Sequence, residues 1–451
     1  MLSNDVLLAM FDFYVDGAGD KAYSKKSLEG WQSLVHVCRR WRSVVFESPR
    51  RLNLRLCCTP KTRARDMLGL WPALPLVIWG RDFKTGSIDN ITAMLGHRDR
   101  VFQIDLWKLS GSRLKTVLVA MKVPFPELTH LDLRLQDESS VSVPRSFLGG
   151  SAPSLRSFRF NRIPFPGLPK LLLSATHLVD LRLHEIPYPG YTPEVMVTTL
   201  SMLTHLRSLS LTFRTPEDGR TWEPRSTRAV LSILTFSYKG NRDYFNDMVA
   251  RIDVPRINEL SINFFGNDAI ETPQLIQFIY RTPTFYAFKA AHLLFLKGTT
   301  RVELHSQTSG SGVLIMEYPL LEEICTSCLP LLSSLEDLHI SEHEYFRSRG
   351  PDYIENTRWL PLLDPFTPVK NLYLSERVAK GIGPALQDLV GARTTEVLPT
   401  LQNIFLEGPQ PSGSVQEGIE QFVSTRQVAG HPIAVSCREN PLNGLPRSGK
   451  S

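Results

Sequence analysis

The 451-residue chain has only six cysteines, too few for a disulfide framework, so a reducing compartment, cytoplasmic or nuclear, is expected. Long apolar runs are missing too. Stretches such as Leu171-Leu172-Leu173 or Leu293 to Leu296 fall far short of the ~18 residues a membrane-spanning helix needs, and no membrane partner is expected. The opening Met-Leu-Ser-Asn-Asp lacks the basic head and apolar run of a secretory signal. An excess of one charge sign is scarce as well. The net charge of +6 comes wholly from residues 1–100, which hold 16 Lys/Arg against 10 Asp/Glu, while the remainder is balanced at 35 to 35. So modest a surplus reads as a solvated helix face. The basic run between residues 39 and 65 has apolar residues interleaved, which suits packing better than phosphate contact, so no nucleic-acid partner is expected.

With 42% hydrophobic residues the chain can bury a sizeable core. At ~150 residues per domain its length allows about three domains, or a repeat array beside a small module. Near the start, Val6, Leu7, Met10, Phe11 and Tyr14 fall at helical spacing, with Ser3 or Asn4 available as N-cap. A polar stretch with three glycines, residues 16–30, reads as a loop. Trp31, Leu34, Cys38, Trp41 and Val45 then step by three and four, which predicts one apolar stripe along one helix ended by Pro49. Two such short helices make a poor independent core and need a partner.

These residues resemble a known module. Leu2-x-x-Asp5-Val6-Leu7-Leu8-x-Met10-Phe11, followed by Leu34-Val35-His36-Val37-Cys38-Arg39-Arg40-Trp41-Arg42, is similar to an F-box, with Ser3 where that family usually has Pro. The stretch from Pro49 to Leu76 resembles the continuation seen in many F-box proteins of mushroom-forming fungi. The resemblance implies docking onto the Skp-type adaptor of a cullin-RING ubiquitin ligase. Leu2, Val6, Leu7, Met10, Phe11, Leu34, Val37, Cys38 and Trp41 would supply the adaptor-facing and core surfaces.

From residue 101 the period lengthens. The pattern apolar-x-x-apolar-x-apolar begins at Val101, Leu128, Leu155, Leu178, Leu206, Leu231, Ile257, Leu335, Val369 and Leu401. A single match arises by chance with probability ~0.07, or about 33 times along the chain, so the spacing carries the weight. The first seven starts lie 27, 27, 23, 28, 25 and 26 residues apart. The 78 residues from Ile257 to Leu335 leave room for two irregular units. This resembles a leucine-rich repeat, one short strand and one return segment per unit. Thr192-Pro193 and Thr272-Pro273 start return helices with proline at the first position, and Leu386, Leu389 and Val390 mark a third. The Asn or Cys expected eight residues after the first Leu is absent, as at Leu109, Gln136, Ile163 and Ile186, which predicts an irregular array. Residues flanking the inner apolar positions should share the opposite strand face. His130, Asp132, Arg134, Arg159, Asn161, Asp180, Arg182 and His184 fall there, and Asp337, His339, Asn371, Tyr373, Asn403 and Phe405 further along. Arg134, Arg159 and Arg182 are the candidate substrate-binding residues, for an acidic or phosphorylated segment.

Three strings imitate chemistry. Residues 444–451 match the phosphate-binding GxxxxGK[ST] loop, but no helix follows Ser451 to complete the cradle. His339-x-x-Glu342-His343 matches a zinc-hydrolase string, but in an extended strand its histidines lie about 13 Å apart. Cys325-x-x-Cys328 lacks the second pair of a zinc ribbon. No catalytic constellation, cofactor motif or metal site emerges.

The reading is therefore an α/β chain with four parts. Residues 1–50 form an all-α F-box module and residues 51–98 a connecting segment. Residues 99–430 form an irregular leucine-rich-repeat solenoid, a horseshoe with helices on its convex side. Residues 431–451 form a tail, disordered from about 441. The function implied is the non-catalytic, substrate-recognition part of a Skp–cullin–F-box ubiquitin ligase. Its partners would be the adaptor, cullin through it, and an unnamed protein substrate. The alternatives are a repeat scaffold without a ligase role and, remotely, a zinc hydrolase at His339 and His343.

Overall fold

Helix α1 (Asn4–Asp16) begins where the apolar spacing places it, capped by Ser3: the Oγ accepts the Val6 N–H at 3.3 Å and the carbonyl accepts the Leu7 N–H. The computed structural model of the chain describes residues 2–16, 25–49, 51–81, 83, 87–187, 191–214, 228–264, 273–285, 287–296, 299–306, 312–318, 329–342, 359–387, 389, 393–407 and 414–438. Most of the polar loop after α1, Cys325 and Cys328, His343, Val390 and the tail from residue 439 lie outside the described residues.

The stripe from Trp31 to Val45 is not one helix. It is divided into α2 (Lys25–Val35) and α3 (Arg39–Glu47). Cys38 stands between them in extended conformation and caps α3, its Sγ accepting the Trp41 N–H at 3.4 Å. A side chain that caps the next helix cannot also continue the previous one, and spacing alone does not reveal that exchange. Trp31 is buried, donates its indole N–H to the Arg55 carbonyl at 2.9 Å and packs edge-on against Trp71 and Phe46. The helices are thereby fastened to the chain that follows them.

The chain divides into two compact units, residues 1–217 and 218–451. In the first, seven strands pair in chain order, all parallel. They are β1 (Leu56–Cys58), β2 (Leu76–Gly80), β3 (Val101–Leu109), β4 (His130–Leu135), β5 (Ser157–Asn161), β6 (Asp180–Ile186) and β7 (Ser208–Phe213). The sheet thus begins at Leu56, inside the segment expected only to connect. Parallel neighbours need a return segment each, and helices such as Gly111–Ala120, Leu168–Leu172 and Pro193–Ser201 supply them. Thr192 caps the last of these, with Met196 and Leu200 buried.

The apolar positions of the repeat stack across the strands. Ile104, Leu131, Phe158, Leu181 and Leu209 form one row, and Leu106, Leu133, Phe160, Leu183 and Leu211 the next. All ten are buried, at ~1.5–3 kcal/mol each by area. No Asn ladder is present, and the backbone bends near the strand ends instead: Lys108, Arg162 and Glu185, each seven residues after its repeat start, adopt positive φ of 55°, 62° and 48°, with register shifts between Leu106 and Leu109 and between Leu183 and Ile186.

In the second unit β9 (Thr235–Gly240) fixes a register that differs from the sequence reading. Phe236 pairs with Leu260, so the unit starts at Ile233 rather than Leu231. Ile233, Phe236 and Tyr238 are buried, whereas Leu234, which stands just before the strand, is only partly so. The gap between Ile257 and Leu335 also differs. Two parallel strands do fill it, β12 (Phe288–Leu296) and β14 (Val313–Tyr318), but β13 (Thr299–Ser306) lies between them, antiparallel to both. Counting β11 (Glu259–Phe264), β15 (Asp337–Glu342), β16 (Asn371–Leu374), β17 (Asn403–Glu407) and β18 (Ala434–Arg438), the order is β9-β11-β14-β13-β12-β15-β16-β17-β18. Short strands β8 (Ala229–Val230) and β10 (Ile252–Asp253) pair separately. The architecture is mixed α/β with mostly parallel sheet. Among the described residues no pairing closes a barrel, and no helix is long and apolar enough to cross a membrane.

Candidate functional site

Two surfaces gather the residues singled out from the sequence. The first lies on the N-terminal helices. Of the nine adaptor candidates, Leu7, Phe11 and Leu34 are buried, so they hold the helices together. Trp41 is half-buried, its ring 4.8 Å edge-on from Phe11. Leu2, Val6, Met10 and Val37 face solvent at 45–58% exposure, and Cys38 is also exposed. They are joined by Tyr14 and by Phe13, which is 82% exposed. Phe13 stands three residues after Met10 and seven after Val6, so helical spacing places it on the same outward face, although it is not among the nine residues singled out from the sequence. Arg40 fixes the start of α1 from α3 through the Leu2 carbonyl and, at 3.0 Å, the Asn4 Oδ1.

The second surface is the outward strand face of the first unit. Cross-strand register aligns Trp79, Asp105, Asp132, Arg159, Arg182 and Ser210 in one row. A second row aligns Arg134, Asn161 and His184, and a third Gln103, His130, Ser157 and Asp180. The three candidate arginines do come together here, but each has a carboxylate partner. Arg134 grips Asp132 through Nε and Nη2 at 2.9 and 2.7 Å. Arg159 grips Asp180 at 2.9 and 2.7 Å, and Arg182 reaches the other Asp180 oxygen at 2.9 Å. Burial alone would raise the Asp180 carboxyl, but its bonds and charge contacts with Arg182 and Arg159 outweigh that and hold it below the usual carboxylate range. His130 and His184 are held below the usual imidazole range by burial first and by neighbouring arginines second. The face is a charge-matched network rather than a basic patch.

Asp105 is the exception in that row. It is buried, and burial first, then the Asp132 charge, push its carboxyl from 3.8 up to about 6. The Trp107 indole and the charges of Arg134 and Arg81 pull the other way, while the Asp105 Oδ1 and the Trp79 indole N–H are buried without hydrogen-bond partners. Sequence reasoning passed over this group. An Asp between Ile104 and Leu106, two residues before a Trp on the same strand face, is the signal that marks it.

In the second unit the outward face carries stacked rings and amides. His339 lies flat on Tyr373 at 4.0 Å between centroids, and Tyr373 stacks on Phe405 at 4.6 Å. Beside them Asn371 donates to Asp337 at 2.7 Å and Asn403 to Asn371 at 2.8 Å. These residues lie on the face that strand alternation assigns to them. His292 meets the Ser341 hydroxyl at 2.6 Å and is held below the usual imidazole range by burial. Among the described residues no three His, Cys, Asp or Glu side chains gather as a metal site. The zinc-like string cannot be tested as a pair, because His343 lies outside those residues.

No family model matches the chain, and no curated protein matches it.

Proposed function

We propose that the chain is the substrate-recognition subunit of a Skp–cullin–F-box ubiquitin ligase, with α1–α3 as the F-box and the strand array as an irregular leucine-rich-repeat solenoid. The observation that carries the reading is the apolar patch of Leu2, Val6, Met10, Phe13, Tyr14 and Val37, large side chains left in solvent on helices that are otherwise anchored. Such a patch is a partner surface in waiting. Leu2, Val6, Met10 and Val37 of this patch are among the residues that the F-box resemblance implies for the adaptor contact. The recurring strand pattern and its charge-matched outward rows support a protein-binding array as the other half of the molecule.

On this reading the chain performs no bond chemistry. It raises the effective concentration of a bound substrate near an enzyme held elsewhere in the assembly. Cullin is reached only through the adaptor. A repeat scaffold without a ligase role is the second reading, favoured by the strand array alone. Affinity purification of the full chain from expressing cells separates the two. Recovery of cullin that disappears in Val6→Glu/Met10→Glu supports the ligase reading, because both positions are exposed and the fold is kept. A wild-type chain that recovers no adaptor and no cullin refutes it.

A further inference from the structure

At one end of the first unit's outward face, β2 and β3 build a small cage. Trp79 and Asp105 are register partners across the two strands, and Trp107 lies two residues beyond Asp105 on the same face. The guanidinium carbon of Arg81 sits 4.1 Å from the Trp107 ring centroid and 5.1 Å from that of Trp79. Arg134 covers the Trp107 ring as well, at 3.8 Å, but its bidentate grip on Asp132 makes it a fixed wall. Arg81 is different. It is exposed and has no hydrogen bond or ion pair among the described residues, so its ring contacts are its hold.

The rest of the cage is unsatisfied. Asp105 is only 8% exposed and its carboxyl is met by the Trp107 indole, yet its Oδ1 has no hydrogen-bond partner, and neither has the indole N–H of Trp79. Buried polar atoms are almost always paired, so the Asp105 Oδ1 and the Trp79 indole N–H, two orphans in one cluster, point to something missing. Two indole faces attract a cation, and a buried carboxylate wants one.

We propose that Trp79, Trp107 and Asp105 form a site for an arginine side chain presented by a partner protein, and that Arg81 occupies this site until the incoming arginine displaces it. A guanidinium stacks on the indoles as Arg81 does, and its spare N–H groups can reach the Asp105 oxygen that is unpaired in the free chain. The raised Asp105 carboxyl fits the same picture, because a bound cation relieves the cost of its charge. The site does not rest on the ligase reading. Where that reading holds, the segment captured at this end of the array is basic rather than acidic, since Arg134, Arg159 and Arg182 already hold carboxylates.

The test is a titration of the full chain, with 15N-labelled tryptophan, by acetyl-Gly-Arg-Gly-amide, read at the indole N–H signals. Trp79→Phe and Trp107→Phe identify the two signals that matter. Arg81→Ala, an exposed position, removes the internal competitor. It should saturate at about tenfold lower peptide than wild type if Arg81 fills the cage nine-tenths of the time. Asp105→Asn keeps the volume and should weaken binding to Arg81→Ala at least about tenfold, with the five other indole signals unmoved as the check on folding. The same peptide with citrulline, neutral and of matching shape, should not bind. Equal curves for wild type and Arg81→Ala would overturn the proposal. So would binding of the citrulline peptide, or binding unaffected by Asp105→Asn.

Discussion

Replacing Asp105 by Asn should make the protein more stable at neutral pH, and the gain should vanish in acid. The carboxyl is buried, lies beside Asp132 and titrates at about 6 when folded, against 3.8 ordinarily. A carboxyl with a raised folded value binds its proton more readily in the native than in the unfolded state, so native stability rises as pH falls through about 6. The gain is complete below 3.8. At 1.36 kcal/mol per pH unit, that interval makes the charged form cost about 3 kcal/mol at pH 7.5, net of the arginines nearby. Asn removes the charge and keeps the shape. Urea unfolding followed by tryptophan emission is a suitable assay, since Trp31, Trp41, Trp71, Trp79 and Trp107, five of the seven tryptophans, lie in the first unit. Asp105→Asn should exceed wild type by about 2–3 kcal/mol at pH 7.5 and by roughly half that at pH 5, all other titrating groups cancelling in the difference. A difference that stays constant between pH 7.5 and 5 would refute the reasoning.

Three further outcomes follow from the packing. Lys108→Gly should stabilise the first unit by about 1 kcal/mol, because Lys108 holds a φ of 55° that favours glycine; urea midpoints at constant slope check this, and a lower midpoint would contradict it. Arg251 and Asp247 form a bidentate pair at 2.9 and 2.8 Å with side chains 7% and 10% exposed, so Arg251→Ala should cost ~3–5 kcal/mol by stranding the carboxylate; a loss below about 1 kcal/mol would show that water reaches the pair. Trp31→Ala should cost ~3–5 kcal/mol, since it removes the ring packed against Trp71 and Phe46 and the indole hydrogen bond to the Arg55 carbonyl; thermal unfolding reads it, and an unchanged midpoint would mean the helices are not anchored there.

What the sequence made legible is what has a period. Strand positions such as Leu131, Phe158 and Leu181 follow from apolar alternation, as does the outward placement of Arg159 and Tyr373. Where two registers are equally apolar the period is silent: Leu231 and Ile233 both start a valid pattern, and only pairing with β11 chooses the second. The break at Cys38 was hidden because a thiol serves equally as an apolar stripe member and as a cap. Strand direction was hidden too, since β13 alternates just as its parallel neighbours do. The arginines of the candidate site and the carboxylates Asp132 and Asp180 were placed on one face, but their pairing was not found. Asp180 lies 21 residues from Arg159 in sequence and one strand away in space, a distance only the register closes. Asp105 was missed for the converse reason, because a single acid in an apolar strand carries no periodic signal.

We propose that the exposed side of α1 and the α2–α3 turn dock a Skp-type adaptor while the buried side of these helices holds the fold. Calorimetric titration of purified adaptor into the full chain tests it, comparing wild type with Val6→Glu/Met10→Glu and with Arg134→Ser/Arg159→Ser/Arg182→Ser. Saturable binding by wild type and the arginine variant, weakened at least about 30-fold in the helix variant, is predicted. Equal binding by all three, or none by wild type, would contradict it.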